Sequence, residues 1–327
     1  MWAQVEHNKP LSSLSHEDLL VYQRFLGDPQ PIERWVMQKR KVARNDPAWR
    51  PFAGPLSPTS QRQAIVILNT MFSWLVNAGY LAGNPLSLSR QRQRKAKPRI
   101  TRFLEEDLWT EVKLTVEQMP RETNRESEHY HRVRWLFSLL YITGIRASEV
   151  VQNTMGGFIC YSDKEGEPQW WLDITGKGDN SRIVPATREL LVELSRYRRE
   201  MGLPLSPLEG ESTPLLLPIG GKPRPMTRSA VHLILKKIFK KTASRLKLRG
   251  PEAYSKVIRL EAASAHWMRH TASSNMANAM DIRHVRDNLG HESIETTNKY
   301  LHSEDDYRHR ETERSHKLNW GQRQGNN

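Results

Sequence analysis

Between Ser15 and Leu26 the apolar residues Leu19, Leu20, Tyr22, Phe25 and Leu26 fall on one helical face, and Ser15 with Asp18 three positions later forms a capping box at its start. A second amphipathic stretch covers 32–42. After the proline- and glycine-rich PAWRPFAGPLSP, Ile65, Leu68, Phe72 and Leu75 repeat at helical spacing, with Thr59 or Ser60 as the expected cap. Gly79 stops that helix, and Asn84-Pro85 prevents an immediate restart. The first hundred residues therefore read as all-helical.

Helical periodicity resumes over 104–119 and 131–143, and then the period changes. Trp170, Leu172 and Ile174 alternate with Trp171 and Asp173, and GKGDNS separates them from RIVPA, which predicts a β-hairpin with a glycine-rich turn. Helices are expected again over 187–201, 227–246, 265–279, 282–289 and 294–300. The segment 244–264 is longer than a minimal connection, so it is read as an insertion that touches a ligand or a neighbouring protomer. The arm GEPQWW before the hairpin has no assignment, and the chain after His316 is expected to fray or to meet a partner.

Composition narrows the partner. Lys and Arg number 50 against 36 Asp and Glu, a net charge of +14, with a pI near 9.9 and a mean hydropathy of -0.69. That balance points to a polyanion such as nucleic acid. The charge is concentrated in SRQRQRKAKPRITR, where Arg90, Arg92, Arg94, Lys95, Lys97, Arg99 and Arg102 occur with no acidic residue between them. Arg92, Arg94, Lys95 and Lys97 are the expected phosphate-backbone contacts of an extended linker. The linker sets the expected domains: 1–89, a helical DNA-binding domain; 90–102, the basic linker; and 103–327, a larger domain with a C-terminal tail. No run of about 18 apolar residues exists, so no membrane span is expected. The N-terminus lacks a secretory pattern, the mature chain is expected to begin near Met1, and a cytoplasmic location follows. The single Cys160 excludes an intramolecular disulfide and a cysteine-based zinc site.

The candidate chemistry lies in dispersed motifs: TGIRASEV with Arg146, TGKGDNSRIVP with Lys177, HWMRHTA with His266 and Arg269, LGH with His291, and Tyr300 nine residues later. GKGDN lacks the Walker spacing and sits in a hairpin, so nucleotide binding is set aside. Each residue alone is ordinary. In this order they closely resemble the signature of the tyrosine recombinase family, also called the phage integrase family. The resemblance spans nearly the whole chain, with AIVILNTMFSWLVNAGYLAGNPL similar to the core-binding domain and 103–302 similar to the catalytic domain.

The resemblance implies a fold that is mainly α with a small β-sheet: a helical, SAM-like core-binding domain followed by an α+β catalytic domain. It implies that Tyr300 is the nucleophile, Arg146 and Arg269 bind phosphate oxygens, and His266 assists proton transfer. His291 would hydrogen-bond the scissile phosphate and Lys177 would protonate the leaving 5′-oxygen. Glu149 either orients Arg146 or forms a simple helix ion pair, His270 is read as structural, and Tyr307 lacks the spacing from LGH. No cofactor is implied, neither ATP nor metal. The expected partners are duplex DNA sites, a homotetramer on paired sites, with the chain beyond Tyr300 linking protomers, and accessory DNA-bending or partner recombinase proteins. Integration, excision and resolution of a mobile element or of dimers all fit. A type IB topoisomerase-like enzyme or a non-catalytic DNA-binding regulator would use the same scaffold.

Overall fold

The computed structural model describes residues 2–38, 42–87, 102–176, 181–220, 224–290 and 301–320, with no side-chain description for 282 and 301–307. The chain divides into two compact units, Met1–Pro98 and Arg99–Asn327.

The first unit holds α1 (Trp2–His7), α2 (His16–Gly27), α3 (Ile32–Trp35) and α4 (Pro58–Asn77). The capping box of α2 forms as expected: the Asp18 N–H donates to Ser15 Oγ at 3.3 Å and the Ser15 N–H donates to Asp18 Oδ2 at 2.9 Å. Among the described residues of the amphipathic stretch 32–42, only Ile32–Trp35 are helical, as α3. Helix ends at Val36, whose β-branched residue turns extended and bridges Phe52. The cap of α4 is Ser57 rather than Thr59 or Ser60, because Pro58 behind it is preorganised for the first helical position. Trp2, Trp35, Phe25 and Phe52 form one small core, and Leu19, Phe72 and Leu86 form another.

The second unit contains α5 (Glu106–Glu117), α6 (Asn124–Thr143), α7 (Ala147–Gln152), β1 (Phe158–Ser162), β2 (Pro168–Thr175), β3 (Ser181–Pro185), α8 (Arg188–Glu200) and α9 (Arg228–Lys247). It continues through α10 (Tyr254–Ala262), α11 (Ala265–Ala279), α12 (Ile282–Leu289) and α13 (Leu301–Ser315). The fold is mainly α with one three-stranded antiparallel sheet, ordered β1-β2-β3. Helix α6 starts about two turns before the apolar pattern does, because Thr123 and Glu126 build a capping box ahead of it. From Val133 to Thr143 it is buried on every side, and Trp135, Leu136, Phe137, Leu139 and Leu140 belong to the main core.

The hairpin is confirmed by the register Trp171↔Pro185 through Thr175↔Ser181, but a strand precedes it. Strand β1 pairs Phe158 with Leu172, and GEPQWW is its return. Asp163 Oδ1 accepts from the Glu165 and Glu167 N–H groups, both at 2.9 Å, and Gly166 adopts φ +84° at the turn. The segment 244–264 folds within the unit: α10 buries Val257 and Leu260 among the core residues that α9 also supplies.

The expected frayed tail is corrected in part. His316, Leu318 and Trp320 pack on their own unit: the His316 Nε2–H donates to the Tyr141 carbonyl at 2.8 Å, and Glu189 accepts from the Leu318 and Asn319 N–H groups at 2.7 Å each. Trp320 lies 4.3 Å from the Arg134 guanidinium. Arg92, Arg94, Lys95 and Lys97 of the expected linker, Lys177 of the expected turn, and the stretch 291–300 with His291, Tyr300 and the expected helix over 294–300 lie outside the described residues.

Candidate active site

Arg269 is fixed by two helix ends. It sits in the second turn of α11, and the residue is 6% exposed. It donates from Nη1 to the Gly144 carbonyl at 2.7 Å and from Nη2 to the Leu289 carbonyl at 2.5 Å. Both acceptors lie at the C-terminal ends of α6 and α12, where backbone carbonyls carry the negative end of the helix dipole. Glycine makes this approach possible. Gly144 (φ +65°) and Gly290 (φ +60°) end the helices in the left-handed conformation, and a Cβ at Gly144 would meet Leu289 Cδ2 at 2.8 Å.

Arg146 opens α7. Its backbone N–H donates to Glu149 Oε2 at 2.7 Å and its Nη1 to Glu149 Oε1 at 3.0 Å, while its side chain stays 47% exposed. Glu149 is itself buried and is gripped from β3 by Arg182, whose Nη1 and Nη2 donate to the two carboxylate oxygens at 2.9 and 2.8 Å. Burial alone would push the Glu149 carboxyl up. The Arg182 fork and the Arg146 N–H outweigh it and hold the group below the ordinary carboxylate value.

His266 lies in the first turn of α11, one turn before Arg269, so the two project from the same face. Its Nε2 is 2.8 Å from Nε2 of His270, with the rings edge-on at 4.2 Å between centroids. Burial, then the charges of Arg269, Arg102 and Arg146, hold its pKa below the ordinary histidine value, which favours the neutral ring at pH 7. Arg269 in turn is lowered to about 10, first by burial and then by Arg146 and Arg182, and it remains charged. These mutual effects place Arg102, Arg146, Arg182, His266 and Arg269 in one electropositive cluster. Such a cluster is suited to a phosphate group and costly to leave without one.

Of the six residues expected from the sequence to carry catalysis, the structure brings Arg146, His266 and Arg269 together; Lys177, His291 and Tyr300 lie outside the described residues. The sequence reading missed Arg182. Beyond holding Glu149, it donates from Nε to the Asn288 carbonyl at 3.1 Å, so one side chain joins α7, β3 and α12. Its signal was present in RIVP, where an arginine opens a strand whose next residues turn to the core. Glu149 serves both roles considered for it, as helix-start ion pair and as the orienter of Arg146. Among the described residues no cluster of His, Cys, Asp or Glu is arranged to hold a metal ion.

Residues 113–306 match the phage integrase family. The chain is 22% identical over 296 residues to the tyrosine recombinase XerD of Rickettsia conorii, covering 89% of each protein. Its fold is similar to that of the Tn1549 transposon integrase in complex with a circular intermediate DNA, with a TM-score of 0.53 and 15% identity over 91% of this chain and 86% of that one. It also aligns with the lambda integrase tetramer bound to a Holliday junction, with a TM-score of 0.50 and 11% identity, covering 90% and 70%.

Proposed function

The chain belongs to the phage integrase family, and from that premise we propose that it is a site-specific tyrosine recombinase that cuts and rejoins duplex DNA through a 3′-phosphotyrosine at Tyr300. The observation that carries the reading is the Arg146–Arg269 pair: two permanent cations, one clamped by helix-end carbonyls and the other by a buried carboxylate, held beside a neutral imidazole.

In the first step the Tyr300 oxygen attacks phosphorus, the new tyrosine–phosphate bond forms, and the bond to the 5′-oxygen breaks. The phenol, with an ordinary pKa of about 10, gives its proton to His266, and Lys177 gives one to the departing oxygen. Arg146 and Arg269 bind the non-bridging oxygens as charge grows on them. The remaining N–H groups of Arg269 are already aimed, because two others are engaged with Gly144 and Leu289. His291 donates to the same phosphate. A 5′-hydroxyl from a partner strand reverses the step and joins two DNAs.

The domain roles follow: 1–89 binds the core site, 90–102 tracks the backbone, and 103–327 performs the chemistry. Support for four copies on paired sites comes from the similarity to an integrase solved as a tetramer on a junction. Integration, excision and resolution of DNA all fit this chemistry, in the cytoplasm, with accessory DNA-bending or partner recombinase proteins as additional partners.

Arg146→Ala and Arg269→Ala are each expected to keep DNA affinity while cleavage falls by roughly two or more orders of magnitude, the scale of removing one preorganised donor. Gel-shift and single-turnover cleavage on the same DNA measure the two quantities. Loss of binding in step with loss of cleavage would assign these arginines to the fold instead.

A further inference from the structure

Two imidazoles joined through Nε2 at 2.8 Å obey a strict proton count. One ring must carry the Nε2 proton and the other must present a lone pair there, because two Nε2–H groups would repel and two lone pairs would make no bond. In a neutral pair this fixes the far nitrogen of each ring. If His266 donates, its Nδ1 is a lone pair; if His270 donates, the His266 Nδ1 carries a proton. Passing the Nε2 proton from His266 to His270 across the 2.8 Å gap while the His266 Nδ1 gains one from outside therefore converts His266 from a base at Nδ1 into a donor at Nδ1 and leaves His270 with protons on both nitrogens.

We propose that His270 is a positioning residue that sets the proton state of His266, so that the imidazole can serve as proton acceptor in strand cleavage and as proton donor in the reverse step. The inference rests on the recombinase reading for its use, but the pair itself exists without DNA. The spacing is built into α11: positions 266 and 270 are one turn apart, and Arg269 between them is locked to Gly144 and Leu289, which fixes the rotation of the helix face.

The proton balance is complete within the protein and its substrate. When the His266 Nδ1 takes the phenolic proton, its Nε2 proton passes to His270, which becomes the imidazolium while His266 returns to neutral. In religation the proton moves back and is returned to the tyrosine oxygen as the phosphotyrosine bond breaks. The surroundings favour that movement: Arg102 from the chain ahead of α5, Arg146 from the head of α7 and Arg269 from α11 all act against a cation on His266. A relay spares it from holding the charge alone.

The test is long-range 1H–15N spectroscopy of the full chain labelled at histidine, in which the two rings are assigned by the His266→Gln and His270→Gln variants. The expected result at neutral pH is one Nε2–H and one Nδ1–H ring within the pair. In His270→Phe, the His266 midpoint should fall by roughly half a pH unit or more, because the lone pair that welcomed its proton is gone. In cleavage, His270→Phe should be slowed by about ten-fold or more with a displaced acid limb. His270→Gln, whose amide can donate or accept, should recover part of the rate.

An unchanged His266 tautomer and titration in His270→Phe would overturn the proposal. If the Phe ring prevents folding, the wild-type spectrum decides, and a pair with no Nε2–H ring contradicts it. The spectroscopic arm needs no DNA, so a failure of the recombinase reading would leave it standing. A normal covalent reaction with uncoupled histidines would sink the relay alone.

Discussion

Glu149 shows how much of this site depends on one buried side chain. Its carboxylate lies between Arg182 and Arg146, and the two bonds from Arg182 compensate a charge that burial would otherwise penalise. Arg182→Ala leaves that charge with the half-exposed Arg146, and we expect a loss of about 3 kcal/mol, the scale of breaking a buried pair from one side. Adding Glu149→Gln should restore part of the loss, since no lone carboxylate then remains. A double-mutant cycle by urea unfolding measures this, and additive effects would contradict it. Arg146, His266 and Arg269 were legible in the sequence because each sits in a short motif with fixed neighbours. Arg182 was not, because its value comes from Glu149, which is 33 positions away in sequence, and from the Asn288 carbonyl, 106 positions away.

The elements differ in how openly they announce themselves. Helix α11 was expected over 265–279 and forms over Ala265–Ala279. Strand β1 was missed, since FICYS does not alternate: only Phe158 is buried, and its pairing partner lies across a turn built by Asp163. Strand β2 read as one-sided, yet Trp171 is buried as well as Leu172, because α13 covers it with Arg308 and His309. That cover continues into the C-terminal segment, where the clearest pH dependence lies. Burial holds the His316 ring down to about 4, against the pull of its bond to the Tyr141 carbonyl. A folded pKa below the unfolded one means that the contribution is present above about pH 6.5 and is lost as pH falls toward 4. The difference corresponds to about 3 kcal/mol. His129, also lowered to about 4 by burial and by Arg132 and Lys237, adds a loss of the same sign. Thermal unfolding across that window should therefore show a shallower pH dependence for His316→Gln than for the wild type, and identical slopes would contradict the assignment. Docking in cis also bears on the expected protomer link, because any exchange of this segment between copies must first break the bonds to Glu189, Tyr141 and Arg134.

At the scale of the molecule, a net charge of +14 and the basic run through Arg92, Arg94, Lys95 and Lys97 lead to the expectation that DNA is bound by displacing counterions. DNA affinity is expected to fall with salt at a log-log slope of about -0.9 per phosphate neutralised. Neutralising those four residues together should flatten the slope by several units' worth of contacts; an unchanged slope in salt-titrated binding would mean that this stretch does not follow the backbone. The basic stretch was readable from composition, whereas the arrangement of the cluster required the fold. The central claim, that the cluster exists to transfer a phosphoryl group to Tyr300, is tested most directly with a nicked suicide DNA from which the released 5′ fragment diffuses away. The wild-type protein and Tyr307→Phe should each form a 3′-linked adduct that survives denaturing electrophoresis and maps by peptide mass to Tyr300, while Tyr300→Phe binds the DNA normally and forms none. A stable adduct from Tyr300→Phe, or one that maps to Tyr307, would contradict the account.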